Sequence, residues 1–149
     1  MSEASALIGL GAGLTPDGDD FLGGLLFCIN ALQRLYPGAI HLGRSEQAWL
    51  IESARQRTNG ISFTLLRDLS NGHAVEPLHE LIRAVLCDMP PEGMRQAAMR
   101  LSRIGHSTGW DLLTGTLTGL LVAFHRHGKG ITWISSRRSE KPTRKRSAA

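Results

Sequence analysis

The sequence predicts an all-α or mainly α protein, a bundle of five to six helices with at most marginal short strands. Three observations carry that expectation. Apolar residues recur at helical spacing in several segments of ten to twenty residues. Short Gly-, Pro- and Asn-rich breaks such as Pro37-Gly38, Asn71-Gly72 and Pro90-Pro91 separate those segments. Alternating strand patterns are almost absent, so the layer arrangement that fits is helix on helix.

Residues Ala6–Leu10 read as a short strand or an extended lead-in. A first helix is expected from about Asp19 to Leu35, because Leu22, Leu25, Leu26, Ile29, Leu32 and Leu35 fall on one helical face. A second is expected from about Ser45, a serviceable N-cap, to Arg57, with Trp49, Leu50 and Ala54 inward. Ile61–Leu69 gives a third and Val75–Cys87 a fourth, with Leu78, Leu81, Ile82, Val85 and Leu86 facing the core. Pro90-Pro91 opens a fifth, since proline in the first turn loses no needed hydrogen bond. It runs to about Arg103. The break "GHSTG", Gly105–Gly109, precedes a last helix from about Trp110 to His125. Gly130–Ser135 reads as a short strand or packed extension, which sets a helical domain at 1–134 and a basic tail at 135–149.

The 149 residues suffice for one compact domain. Apolar residues make up 42% and charged residues 20%, the balance of a soluble globular chain. The apolar runs Phe21–Ile29 and Leu117–Phe124 are too short to span a bilayer. No stretch has the pattern of a signal peptide, and the expected location is cytoplasmic. Cys28 and Cys87 both fall in apolar helical patterns and are expected to be two buried thiols, not a disulfide. The net charge of +4 comes from the tail: six Lys and Arg residues from Arg137 onward stand against Glu140 alone, leaving −1 for the remainder. A near-neutral globular part offers no basic face for nucleic acid, and the tail reads as solvated.

The chemistry is concentrated in "GLGAGLTPDGDDFLGGLL", Gly9–Leu26. Glycine-rich loops before helices suit anions, yet this one carries Asp17, Asp19 and Asp20. It is neither the Gly-x-Gly-x-x-Gly dinucleotide fingerprint nor a P-loop. Laid over "STGWDLLTGTL" at a shift of 91 residues, it gives a shared pattern, Gly-x-Asp-x-Leu-x-Gly-x-Leu. Gly18, Asp20, Leu22, Gly24 and Leu26 fall on Gly109, Asp111, Leu113, Gly115 and Leu117. Each aspartate stands in or beside a first turn, where it suits the helix dipole. Gly24 and Gly115 fall a turn later, and Gly115 with Gly119 makes a flat stripe that allows close helix approach. Three carboxylates on one turn need an offset: the helix start, a buried arginine, protonation of one acid, or a divalent cation such as Mg²⁺. No His/Cys cluster has zinc spacing.

These residues resemble a bacterial family that includes the third subunit of oxamate carbamoyltransferase, from anaerobic allantoin breakdown. "RTNGISFTLL" (Arg57–Leu66) and "GHSTGWDLLTGTLTGLL" (Gly105–Leu121) extend the resemblance over roughly Leu7 to Phe124. Ala12, Asp17 and Asn59 depart from the family pattern, and family members generally carry a further N-terminal region. The resemblance implies a reaction that interconverts oxalurate plus phosphate with oxamate plus carbamoyl phosphate, shared with other subunits. It also implies small ligands bearing carboxylate, amide and phosphate groups.

For such ligands the candidate binding residues are Gly11, Gly13, Thr15, Gly18, Asp19, Arg57, Thr58, Ser62, Ser107, Thr108 and Gly109. His106, Asp20 and Asp111 are the candidate catalytic groups. The expected function is a small-anion-binding subunit of a carbamoyltransferase complex, with other subunits and homo-oligomerisation as its partnerships. The alternatives are a helical assembly subunit with an apolar interface around Trp49, Trp133 or Ile134, and a Mg²⁺-dependent phosphohydrolase using Asp17, Asp19 and Asp20. Convergence of the two motifs in space separates the first from the second.

Overall fold

The computed structural model describes residues 2–126. Among the described residues seven helices follow one another: α1 (Ser2–Ser5), α2 (Asp17–Leu35), α3 (Arg44–Arg57), α4 (Gly60–Ser70), α5 (Glu76–Leu86), α6 (Pro91–Leu101) and α7 (Thr108–Arg126). No strand occurs among the described residues. The helical bundle therefore forms as its periodicity predicts. The expected extension at Gly130–Ser135 and the basic tail lie outside the described residues.

The fold is organised around α2 and α7. Both have 19 residues, and adding 91 to the bounds of α2 gives the bounds of α7. Glycines set how closely they meet. A Cβ on Gly24 would stand 2.1 Å from the Leu112 carbonyl oxygen, and one on Gly115 would stand 1.9 Å from that of Phe21. Phe21 and Leu112 are themselves 91 residues apart, so the two contacts are reciprocal, as in a two-fold interface between identical helices. Farther along, a Cβ on Gly119 would lie 3.0 Å from Cys28 Sγ. The buried Thr116 hydroxyl donates to the Gly24 carbonyl at 3.2 Å. Early residues thus meet early and late meet late, so the helices run parallel with their N-termini side by side.

Around this pair, α4 covers the outer face of α2. Leu69 packs where a Cβ on Gly23 would stand. Asn30 donates from its amide to the Ser70 carbonyl at 3.2 Å. One apolar cluster joins Leu22, Leu26, Leu50, Ala54 and Leu66 of α2, α3 and α4. The larger cluster joins Phe27, Cys28 and Leu32 of α2 with Leu78, Leu81, Ile82 and Leu86 of α5, Leu101 of α6 and Leu112 and Leu120 of α7. Each such fully buried leucine contributes roughly 1.5–3 kcal/mol over leaving it in water. Tyr36 closes the far end of α2, its hydroxyl donating to the Leu86 carbonyl at 2.7 Å.

Several local expectations are corrected. Ala6–Leu10 is a run of turns after α1, not a strand, with Ala6, Leu7 and Ile8 N–H groups bonded to carbonyls three residues earlier. Ser45 does not cap α3. Gly43 precedes that helix, and its N–H donates to Glu46 Oε2 at 2.9 Å, one arm of a capping box. Trp49 is 45% exposed, because α4 covers only the Leu50–Ala54 side of α3. Cys87 is exposed at the C-cap of α5, one residue beyond the last inward position, whereas Cys28 is buried in the α2–α7 seam.

Candidate functional site

The lead-in to α2 folds back on itself. Gly11 takes a φ of 119°, and a Cβ there would stand 2.7 Å from the Asp17 nitrogen, so only glycine fits that bend. Asp19 then anchors the loop. It is 2% exposed, and its Oδ1 accepts from the Gly9 N–H at 2.8 Å. Its Oδ2 accepts from the hydroxyls of Thr58 and, at 2.6 Å, Ser62. Arg57 Nη1 donates to the Ser5 carbonyl at 2.5 Å, tying the end of α3 to α1. Asn59 caps α4, its Oδ1 accepting from the Ile61 and Ser62 N–H groups, while its amide donates to the Leu14 carbonyl at 2.9 Å. Thr58, Ser62 and Asp19 therefore form one brace that holds the loop against the α3–α4 turn, and Arg57 ties α3 to α1 beside it.

Thr15, Asp17 and Asp20 lie on the α7 side. Thr15 and Thr108 share a hydroxyl–hydroxyl bond of 3.0 Å across 93 residues. The Ser107 hydroxyl donates to Asp17 Oδ1 at 2.8 Å. The structure thus brings the two motifs together. It does not make their aspartates into caps: Pro16 precedes α2, with no side-chain cap bond. The first-turn amides are largely used within the chain, the Gly18 N–H by the Leu10 carbonyl and the Gly109 N–H by the Ile104 carbonyl. What the paired helix starts present is hydroxyls, carboxylates and two aligned dipoles, each equivalent to about half a positive charge.

Asp20 and Asp111 each bury an Oδ2 that has no hydrogen-bond partner. Asp20 is 4% exposed. Burial pushes its carboxyl up to about 6. Hydrogen bonds from Thr108 and Thr15 oppose the rise, and the charges of Asp111 and Asp19 add to it. Asp111 is raised too, first by burial and also by Asp17, with the Ser107 hydroxyl opposing. Of the offsets considered for the acid cluster, two have a physical cause in place: the helix start, whose first turn holds Asp17, Asp19 and Asp20, and protonation. His106 is exposed on the turn before Ser107, and Gly13 stands in open space on the loop. Among the described residues no three His, Cys, Asp or Glu side chains are grouped as a metal ion would need.

Sequence reasoning missed a cavity of about 430 Å³ beside Asp20. Leu69 and Leu112 are the buried part of its wall, Leu65, His73 and Val75 the exposed part, and Asp68, Ile104 and Thr108 lie between. The signal available was the α4 register, which sets Leu65, Asp68 and Leu69 on one face before "NGHAV" turns the chain back. That stretch contains no motif, so nothing in it pointed to a site.

The family model described as oxamate carbamoyltransferase subunit AllH matches residues 7–120, and the chain belongs to that family. The match includes the α2 motif, the α4 brace and most of α7. No solved structure matches the chain.

Proposed function

We propose that this member of the oxamate carbamoyltransferase subunit AllH family is the small-ligand-binding subunit of a cytoplasmic carbamoyl-transfer complex, with the ligand held between the starts of α2 and α7. The observation that carries this reading is the junction of the two motifs, Thr15 with Thr108 and Ser107 with Asp17. Ligands of the oxamate, oxalurate and carbamoyl phosphate class have an anionic end and an amide end. The two helix dipoles suit the anionic end, and the hydroxyls of Thr15, Ser107 and Thr108 would donate to it by rotating away from Asp17 and Asp20. The partnerless oxygens of Asp20 and Asp111 suit the amide N–H groups, because an ionised carboxylate only accepts. Below about pH 6 a protonated Asp20 also donates to an anion instead of repelling it. His106, exposed beside Ser107, is the group we assign to exchanging a proton with a ligand there. Asp19, Thr58 and Ser62 support this site by bracing the loop that carries Thr15, and Arg57 by tying α3 to α1.

Calorimetric titration with oxamate, oxalurate and carbamoyl phosphate tests the reading. Thr108→Val should weaken binding about tenfold, the loss of one well-placed hydrogen bond, with helix content unchanged. Absence of saturable binding both by the chain and by its assembled complex would remove the reading.

A helical assembly subunit is the second reading, and one observation favours it: Trp110, Leu117 and Leu121 of α7 are 58%, 48% and 57% exposed along one helix face. The juxtaposed motifs favour the first, since an assembly role alone needs no buried carboxylates between them.

A further inference from the structure

The cavity beside Asp20 does not match the ligands above. Its walls are mostly hydrocarbon, from Leu65, Leu69, Val75, Ile104 and Leu112. A ligand made only of carboxylate, amide or phosphate groups would leave those walls bare and would face two carboxylates, Asp20 and Asp68. No lysine or arginine lines the cavity among the described residues. Arg67, which adjoins Asp68 in sequence, is engaged with it at 3.0 Å on the surface. Within this apolar surround sits a carboxylate that is 4% exposed and keeps one oxygen without a partner. An ionised carboxylate so placed needs a counter-charge, and in a low-dielectric site that attraction is far stronger than in water.

We propose that the cavity takes a cationic head on a hydrocarbon stem, an alkylammonium or alkylguanidinium group. The charge sits against Asp20 and the stem lies along Leu69, Ile104 and Leu112. This is the chemistry of a lysine or arginine side chain from another subunit, and equally of a free aliphatic amine: an apolar stem ending in a strong donor. The volume, about 430 Å³, is within the range of small-ligand pockets and exceeds what a head group alone would fill. The cavity shares Asp20 and Thr108 with the site proposed above, but the inference needs no anion there, and its test contains no organic anion.

The test is ligand-observed NMR and calorimetry on the full chain in a chloride buffer at about pH 8, where Asp20 is ionised. The probes are n-butylamine, n-pentylamine, 1-pentanol, and the capped amino acids Nα-acetyl-lysine amide and Nα-acetyl-arginine amide. Pentylamine should bind about fourfold tighter than butylamine, the yield of one buried methylene. Pentanol, and pentylamine with the Asp20→Asn variant, should each be at least tenfold weaker. Binding should also weaken on going to about pH 5, where Asp20 is protonated; Asp19, Asp111, Asp68 and His73 are the other titratable groups facing it. Ala74→Phe, which fills the cavity and leaves Asp20 in place, should abolish binding even if Asp20→Asn disturbs the fold. Capped amino acids that bind as well as the free amines identify a protein side chain as the source, and their exclusion identifies a free amine. Equal affinity for pentanol and pentylamine, indifference to both variants, or no saturable binding up to the solubility limit would overturn the proposal.

Discussion

Gly115 lies so close to Phe21 that a methyl group on it would sit 1.9 Å from the Phe21 carbonyl oxygen. Since that atom is backbone, nothing can rotate away. Gly115→Ala should cost about 3 kcal/mol or more, the upper range for overpacking a core. Gly24→Ala should do the same against Leu112. The double variant should cost less than the sum, because both separate the same helix pair. Gly93 of α6, with nothing within 4 Å of its Cβ position, is the control: alanine there should stabilise by a few tenths to about 1 kcal/mol. Urea unfolding measures all four, and a mild Gly115→Ala would refute the close seam.

Asp19 and Asp20 are neighbours with opposite uses, and substitution should separate them. Asp19→Ala strips the acceptor from the Gly9 N–H and from two hydroxyls in a site 2% exposed. A loss of about 3 kcal/mol is expected, from several unsatisfied donors at once. Limited proteolysis should then cut within residues 9–16 before it cuts elsewhere. Protection unchanged from wild type would show that the brace is not what holds the loop.

The pH dependence of stability follows from Asp20. Its folded-state carboxyl is raised to about 6 from 3.8, so between those values the folded chain binds more protons than the unfolded one. Stability is therefore highest below about pH 4 as far as this group decides it, and it falls as pH rises toward 6 and stays low above. Two units correspond to roughly 3 kcal/mol at most. Asp20→Asn should remove this slope and raise the urea midpoint at about pH 8, with little change at about pH 4. A variant less stable than wild type at the higher pH would contradict it.

The thiols give a quick check on the fold. Burial pushes Cys28 up to about 12, and it is 0% exposed, while Cys87 is exposed. One thiol per chain should react with a disulfide reagent under native conditions and two in denaturant. Cys87→Ser should abolish the native reaction. Two rapid native reactions would mean that the α2–α7 seam is open.

A last prediction comes from comparing faces. Leu26 and Leu117 are 91 residues apart, yet Leu26 is 4% exposed under α4 and Leu117 is 48% exposed. Leu26→Ala should cost about 2–5 kcal/mol. Leu117→Gln and Leu121→Gln should each stay within about 0.5 kcal/mol of wild type in the isolated chain. Large losses on the α7 face would show that it is covered.

Much of this arrangement was legible in the sequence, because glycine spacing and apolar periodicity are local signals. The 91-residue echo located both central helices and the glycines between them. The separate fates of Asp19 and Asp20 were not legible. Successive helix residues point about 100° apart, and only tertiary packing decides which of them meets α4 and which meets α7. Thr58 and Ser62 read as anion ligands because hydroxyls before a helix suit anions; the anion they meet is Asp19, supplied by the chain itself. Trp49 and Cys87 fit inward patterns, but each lies at the margin of its helix face, beyond the reach of the neighbour that covers the rest.

The pairing of α2 with α7 also shapes how the chain is made. Leu35 ends the first and Thr108 begins the second, with 72 residues between. During synthesis the glycine seam of α2 leaves the ribosome long before its mate exists, and no nearer helix can follow that groove as closely. Packing around α2 is therefore completed only when α7 has emerged, and a nascent chain stalled before residue 108 is one that quality-control machinery should engage.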